Sequence, residues 1–341
     1  MPNLPSLSPL LLHWYDRHAR VLPWRSDPTP YHVWLSEIML QQTRVEAGLA
    51  YYNRFLGEVP DIRSLAELPE ERLMKLWEGL GYYNRARNLQ KAAGVVMSEY
   101  HGELPADPLV LKKLPGIGDY TAGAIASIAF GIKAPAVDGN VLRVFSRLSA
   151  DGRDLSDRAV RREIETLVEA ALPEERCGDF NQALMDLGAT VCLPNGKPAC
   201  SACPFAGLCE AHKQQKECEF PFKPPKKARP VEERTVLRFR FEDRFLLHQR
   251  PSTGLLRGQW ELPALPGILT KEEVLDRLES KPLEIRVLSS AKHIFTHIEW
   301  KMIGYEIILK EKTQWPESRW VTKSELENTV ALPSAFRAYI P

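Results

Sequence analysis

Two carboxylates, four clustered thiols and a glycine-bearing turn are the groups in this sequence whose types and spacing suggest chemistry. Glu37 lies in Trp34-Leu35-Ser36-Glu37-Ile38-Met39-Leu40-Gln41-Gln42-Thr43, where helical spacing gives it a face shared with Leu40 and Gln41. A partly apolar surrounding raises a carboxyl pKa and keeps the proton in place. Taken alone, the position equally fits a solvated helix face. Asp138 precedes a helical stretch in Ala136-Val137-Asp138-Gly139-Asn140-Val141, and a helix N-cap is the ordinary role of aspartate there. Together the two suit cleavage of a glycosidic bond. One group protonates the departing base; the other, ionised, faces the oxocarbenium-like sugar.

Of six cysteines, Cys192, Cys200, Cys203 and Cys209 follow Cys-x7-Cys-x2-Cys-x5-Cys. Crowded thiolates need a metal to offset their repulsion and loss of solvent. Zinc takes four thiolates, commonly as two Cys-x2-4-Cys pairs across a longer loop, whereas one compact set suits a cubane iron–sulfur cluster. Spacing alone leaves both open. Met1-Pro2-Asn3-Leu4-Pro5 lacks the basic start and apolar core of a signal peptide. Clustered thiols without an export signal read as metal ligands in a reducing compartment, so a cytoplasmic location is expected.

The third feature is Leu114-Pro115-Gly116-Ile117-Gly118-Asp119-Tyr120-Thr121-Ala122, which joins a short helix to a small-residue helix. Two glycines one residue apart permit a tight turn and a close approach. The N–H groups opening the next helix then suit a phosphate. A bare Pro-Gly-x-Gly would more often be an ordinary turn.

The elements that position these groups change character along the chain. The 341 residues predict two domains, and 44% hydrophobic with 26% charged residues is a globular balance. No apolar run spans a bilayer; Ala122–Ile132 is short and broken by Gly and Ser, so no membrane partner is expected. Residues 1–218 read as all-helical, with helical spacing over Tyr31–Gln42 and Glu70–Leu80 and a buried helix at Asp119–Phe130. Residues 219–232, rich in Pro and Lys, read as an extended basic linker. From 233 to 341 the period becomes two. Leu237, Phe239 and Phe241 alternate with arginines, Glu242-Asp243 reads as a hairpin turn, Lys271–Glu279 as a helix, and Ile294–Leu309 as two strands around Gly304. This tail is a small α/β domain. A net charge of +1 excludes a uniformly basic nucleic-acid coat; the concentrated positive charge is Lys223, Lys226, Lys227 and Arg229.

Several strings then occur in one order: Arg20-Val21-Leu22-Pro23-Trp24-Arg25, the Glu37 string, Trp77-Glu78-Gly79-Leu80-Gly81-Tyr82-Tyr83-Asn84-Arg85-Ala86-Arg87, the glycine turn, Val137-Asp138-Gly139-Asn140-Val141 and the cysteines. Over nearly its whole length the chain resembles the MutY family of adenine DNA glycosylases, of the helix–hairpin–helix, endonuclease III-like superfamily. The resemblance implies an all-α glycosylase domain with its hairpin at 108–130 and a [4Fe-4S] loop at 192–209. A C-terminal Nudix (MutT-like) domain follows. The related glycosylases have Cys-x6-Cys first, so this loop carries one extra residue between Leu193 and Ala199. The implied substrate is double-stranded DNA with adenine opposite 8-oxoguanine or guanine, and the implied state is a monomer. By the same resemblance Glu37 protonates adenine at N7, Asp138 stabilises the oxocarbenium, and Asn140 and Tyr120 hold the reacting groups. Trp24, Arg25, Leu40, Val45 and Gln182 line a pocket for the flipped adenine. Gln42, Thr43 and Tyr82 approach the opposite purine, Tyr82 as a wedge. Gly116 and Gly118 meet the backbone, and the Leu114 and Ile117 carbonyls form a candidate site for a monovalent cation. Phe295-Thr296-His297 resembles the family's Phe-Ser-His loop, which contacts the lesion. Tyr120 stands where endonuclease III-like enzymes carry a catalytic lysine, which implies a glycosylase without strong lyase activity. The tail lacks the Arg-Glu-x-x-Glu-Glu core of Nudix hydrolases and is expected to bind rather than hydrolyse.

Overall fold

Small and apolar residues dominate the first two hundred positions, and a computed structural model, describing residues 6–222, 224–225 and 228–340, folds them as helices. Met1–Pro5 and the linker lysines Lys223, Lys226 and Lys227 lie outside the described residues. Among the described residues no helix is long and apolar enough to cross a membrane.

The chain divides into two compact units, Met1–Glu67 with Asn88–Pro225, and Leu68–Arg87 with Lys226–Pro341. In the first, the helix Asp119–Phe130 is almost wholly buried because its Ala, Gly and Ser side chains let neighbours approach closely. A Cβ on Gly123 would stand 2.0 Å from the Pro135 carbonyl oxygen. Glycine is therefore required there. Against it pack Pro30–Leu40 and Cys177–Thr190, and Gly139–Ser149 packs in turn on Cys177–Thr190 in a core of Leu7, Leu11, Phe145, Val168, Phe180 and Leu187.

The second unit is built on a mixed sheet. Its strands are β1 (Val231–Phe241), β2 (Arg244–Gln249), β3 (Trp260–Glu261), β4 (Ala264–Pro266), β5 (Glu284–Val287), β6 (Ala291–Ile294), β7 (Glu299–Ile308) and β8 (Ser318–Thr322). The main order is β3-β2-β1-β7-β5, with β4, β6 and β8 paired to β1, β7 and β2. β1 runs parallel to β7, and the Phe241–Arg244 pairing closes the hairpin over Glu242-Asp243. The alternation along β1 separates the two faces: Val236 joins Trp300, Met302 and Phe336 on one, while Leu237 and Phe239 join Tyr305 and Ile307 on the other.

Four boundaries differ from the sequence expectation. The helix expected over Glu70–Leu80 stops at Leu76, because Gly79 (φ 96°) and Gly81 (φ 70°) take left-handed backbone. The helix expected at Lys271–Glu279 is closed by Leu275. Gly304 does not separate two strands but lies inside β7. A Cβ there would stand 2.4 Å from the Tyr339 ring, so glycine makes room for packing rather than for a turn. The linker expected to run to 232 gives way to β1 at Val231. The grouping of Leu68–Arg87 with the sheet is not readable from chain order. Lys75 Nζ donates to the Leu326 and Val330 carbonyls at 2.9 and 3.2 Å, Glu78 accepts from the Leu332 N–H at 2.8 Å, and Arg319 bonds Glu71.

Candidate active site

The Glu37 face is not solvated. The helix Pro30–Leu40 carries Glu37 among Trp34, Ile38 and Met39, and the carboxyl residue is 8% exposed. Burial pushes its pKa up to about 7, and the nearby Asp138 charge adds to that. A hydrogen bond from the Tyr120 hydroxyl to Glu37 Oε2, at 2.5 Å, and the Arg25 charge oppose the rise. Tyr120 lies in the first turn of Asp119–Phe130, and its hydroxyl also lies 3.7 Å from Met185 Sδ. The hairpin thus delivers Tyr120 directly to the buried acid.

Asp138 takes the capping role and still faces this group. Its Oδ1 accepts from the N–H groups of Asn140 and Val141, both at 2.8 Å, and the Asn140 amide donates to Oδ2 at 2.7 Å. Burial raises the Asp138 pKa, while these donors favour the ionised form. Asn140 is held in turn, because Arg143 Nη2 donates to its Oδ1 at 2.8 Å and to the Gly188 carbonyl at 2.7 Å. Arg143 Nε reaches the Cys192 carbonyl at 2.9 Å. One arginine therefore ties the Asp138 cap to the start of the cysteine loop. Sequence reading missed Arg143.

Arg25 sits near Glu37 but is paired elsewhere. Its guanidinium makes two bonds to Asp186, at 2.7 and 2.9 Å, and Arg20 Nε makes another at 2.7 Å. The Asp186 side chain has no exposed surface, and although burial opposes it, the two arginines hold its pKa below the usual range. Sequence reading missed Asp186 too, although it lies four residues after Gln182 and therefore on the same helix face. Gln182 is buried on Cys177–Thr190, and Trp24 packs edge-on against Tyr52 with centroids 4.9 Å apart. Leu40 and Val45 are half-buried at the end of one helix and the start of the next, separated by an exposed Gln42 at φ 61° and Thr43.

In the hairpin the two glycines differ. Gly116 has φ 79°, and a Cβ there would stand 2.8 Å from Asn88 Cβ, so the fold itself demands glycine. Gly118 is extended (φ −97°), caps Asp119–Phe130, and has nothing within 4 Å of a built Cβ. The Leu114 carbonyl accepts from the Ile117 N–H at 3.2 Å.

All four clustered cysteines line one cavity of about 30 Å³, closed by Val144, Leu148, Leu187 and Phe205. That leaves room for an inorganic group. Burial, with the neighbouring cysteines, drives the Cys203 thiol up to about 12, and burial, with Glu217 and those cysteines, drives Cys200 up to about 11. Thiols clustered in this way ionise together only with a cation among them. Arg147 Nη1 donates to Cys192 Sγ at 3.2 Å and to the Leu193 carbonyl at 2.8 Å, while the Cys209 thiol donates to the Arg147 carbonyl at 3.3 Å. His212 bonds Glu217, whose carboxylate lies 3.6 Å from Cys200 Sγ; these three could also hold a metal ion. The extra residue sits in a loop with Gly196 at φ 75° and leaves the cysteines together.

The remaining site residues lie in the second unit. Tyr82, 52% exposed and at φ 47°, donates to or accepts from Thr296 Oγ1 at 2.9 Å. Phe295-Thr296-His297 form the tight turn after β6: Phe295 N–H donates to the Ile298 carbonyl at 2.9 Å, and its ring stands edge-on to Trp300. Thr296 and His297 are exposed. Glu37, Tyr120, Asp138, Asn140, Arg25 and Gln182 belong to the first unit, so the structure groups the site residues in two sets.

Residues 35–170 match the HhH-GPD superfamily base excision DNA repair protein model, and residues 234–341 match the NUDIX domain model. An adenine DNA glycosylase of Rattus norvegicus is 36% identical over 96% of this chain and 77% of its own length. That of Homo sapiens is 36% identical over 96% and 73%, and that of Buchnera aphidicola subsp. Acyrthosiphon pisum 36% over 85% and 83%. Among solved structures, a thermostable thymine-DNA glycosylase superposes with TM-score 0.55 at 31% identity, covering 62% of this chain and 97% of that one. A non-covalent endonuclease III–DNA complex gives 0.54 at 26%, covering 63% and 99%.

Proposed function

The chain belongs to the adenine DNA glycosylase family, an enzyme of DNA repair that excises adenine, and from that premise we propose that it acts on adenine opposite 8-oxoguanine or guanine by general-acid hydrolysis. The observation that carries this reading is the buried Glu37, its pKa raised to about 7 and its carboxyl gripped by Tyr120 beside the capped Asp138.

An adenine leaves as a neutral base only when its ring is protonated. Glu37, neutral at working pH, donates that proton at N7 as the glycosidic bond stretches. The sugar becomes cationic, and the Asp138 carboxylate, fixed by two backbone N–H groups and Asn140, stands as its counter-charge. Glu37, now ionised and held by Tyr120, then takes a proton from the attacking water. Position 120 is tyrosine, so it offers no amine for a Schiff base, and the product is an abasic site with the strand intact.

Reaching the bond requires the base to leave the stack. Trp24, Arg25, Leu40, Val45 and Gln182 make its pocket, with Asp186 fixing the Arg25 fork. Tyr82 wedges beside the opposite purine, which Gln42, Thr43, Phe295, Thr296 and His297 read, while the exposed backbone at Gly116 and Gly118 receives a phosphate. Cys192, Cys200, Cys203 and Cys209 fit a [4Fe-4S] cluster, which when bound ties residues 192–209 into one rigid loop.

In single-turnover excision from an 8-oxoguanine:adenine duplex, Glu37→Gln should lose at least about 10²-fold in rate while still binding the DNA. A glutamine variant that excises near the wild-type rate sinks the mechanism. Borohydride added to the wild-type reaction should trap almost no covalent adduct; strong trapping points instead to a lyase.

A further inference from the structure

The turn that carries Tyr82 breaks two local rules at once. Three of its residues take left-handed backbone, Gly79 (φ 96°), Gly81 (φ 70°) and Tyr82 (φ 47°), and a tyrosine rarely tolerates that region. Tyr82 is 52% exposed, so burial of its ring does not explain why the strain is kept. The helix that follows, Asn84–Glu99, then opens with a cation, Arg85, and no acidic residue in its first turn. Helix N-termini favour anions. Local rules broken together, without a packing reason, mark functional sites.

Arg85 is the group that joins these anomalies. Its guanidinium lies 5.3 Å from the Trp77 ring centroid and 5.6 Å from that of Tyr82. Nη2 donates to the carbonyls of Leu80 and Gly81, both at 3.3 Å, and the Arg85 backbone N–H donates to the Tyr82 carbonyl at 2.9 Å. Trp77 Nε1 donates to the same Gly81 carbonyl at 3.1 Å. Burial lowers the arginine pKa to about 10, still far enough above neutrality to keep the charge. A planar fork that stacks on rings while its edge holds carbonyls is an arginine property; a lysine ammonium offers the charge without the plane.

We propose that Arg85 is a positioning residue for lesion discrimination, holding the Tyr82 ring and the strained Leu80–Gly81 backbone so that the wedge is set before DNA arrives. The inference rests on the wedge role given to Tyr82 above. Arg85 acts through Tyr82, and its charge is not itself a phosphate contact.

The test uses the full-length protein on 8-oxoguanine:adenine and guanine:adenine duplexes, with 2-aminopurine beside the opposite purine to report unstacking. Arg85→Met should lower the preference for the 8-oxoguanine pair roughly tenfold. It should also shrink the 2-aminopurine rise on binding. Arg85→Lys should not rescue either readout, and the salt dependence of binding should match wild type. In a Tyr82→Ala background, Arg85→Met should add nothing. If Tyr82→Ala loses discrimination but Arg85→Met keeps it, the Arg85 assignment fails and the wedge stands. Rescue by lysine, with a shallower salt slope in Arg85→Met, overturns the proposal in favour of a phosphate contact. If Tyr82→Ala keeps full discrimination, the wedge reading itself falls, and this inference with it. Arg85→Gln, which keeps an amide donor for the carbonyls, gives the same comparison where the methionine variant folds poorly.

Discussion

Glu37 is the residue on which pH acts. The general acid is useful only while protonated, and with a pKa of about 7 its protonated fraction falls as pH rises through that value. Single-turnover excision should therefore decline above neutrality along one descending limb. Tyr120→Phe removes the hydrogen bond that lowers the Glu37 pKa, so the limb should move to higher pH as the rate falls. A limb that stays in place in the phenylalanine variant would show that another group titrates. Part of this was legible in the sequence. Leu40 and Gln41 beside Glu37 already suggested a desolvated acid, and Val-Asp-Gly-Asn suggested a cap. The pairing of Asp186 with Arg20 and Arg25 was not legible, because partners some 160 residues apart leave no spacing to read. Arg143 was hidden for a related reason: its acceptors are mostly backbone carbonyls, which carry no sequence signature.

At the scale of elements, periodicity located the helices that carry Glu37 and Tyr120 but not Cys177–Thr190, which carries Gln182 and Asp186, and glycine was the residue most often misread. Gly304 looked like a break and proved to be a packing accommodation inside β7; Gly79 and Gly81 cut short a helix that Leu73, Leu76 and Leu80 had suggested. A bare glycine does not say whether it serves a turn or a neighbour, since that depends on a residue such as Tyr339 far along the chain. The cysteine loop is the element whose composition was easiest to read and whose occupant was not. Protein purified without metal supplementation should contain iron and acid-labile sulfide. Cys203→Ser should lose both and lower the melting temperature, because Cys203 is packed against the core that carries Cys177–Thr190. Zinc without sulfide in the native protein would rule out the cluster.

At the scale of the molecule, the residues assigned to bond cleavage all lie in the first unit, whereas those assigned to the opposite purine are divided, Gln42 and Thr43 in the first and Tyr82, Phe295, Thr296 and His297 in the second. The second unit is not a simple C-terminal appendage, because it incorporates Leu68–Arg87 from the middle of the helical region. A chain ending at residue 225 should keep its first unit folded but lose amide protection across 68–87 in hydrogen exchange. Its Lys75 would lack the Leu326 and Val330 carbonyls, and its Glu78 the Leu332 N–H. Full protection of 68–87 in that truncated chain would contradict the grouping. The same grouping has a consequence for synthesis on the ribosome. The carbonyls that Lys75 caps are made 251 and 255 residues after it. At about 5–20 residues per second, the segment waits on the order of 10–50 s for its partners. During that interval the apolar side chains of Leu73, Met74 and Leu76 have only part of their final cover, so this short stretch is where a chaperone would find the nascent chain.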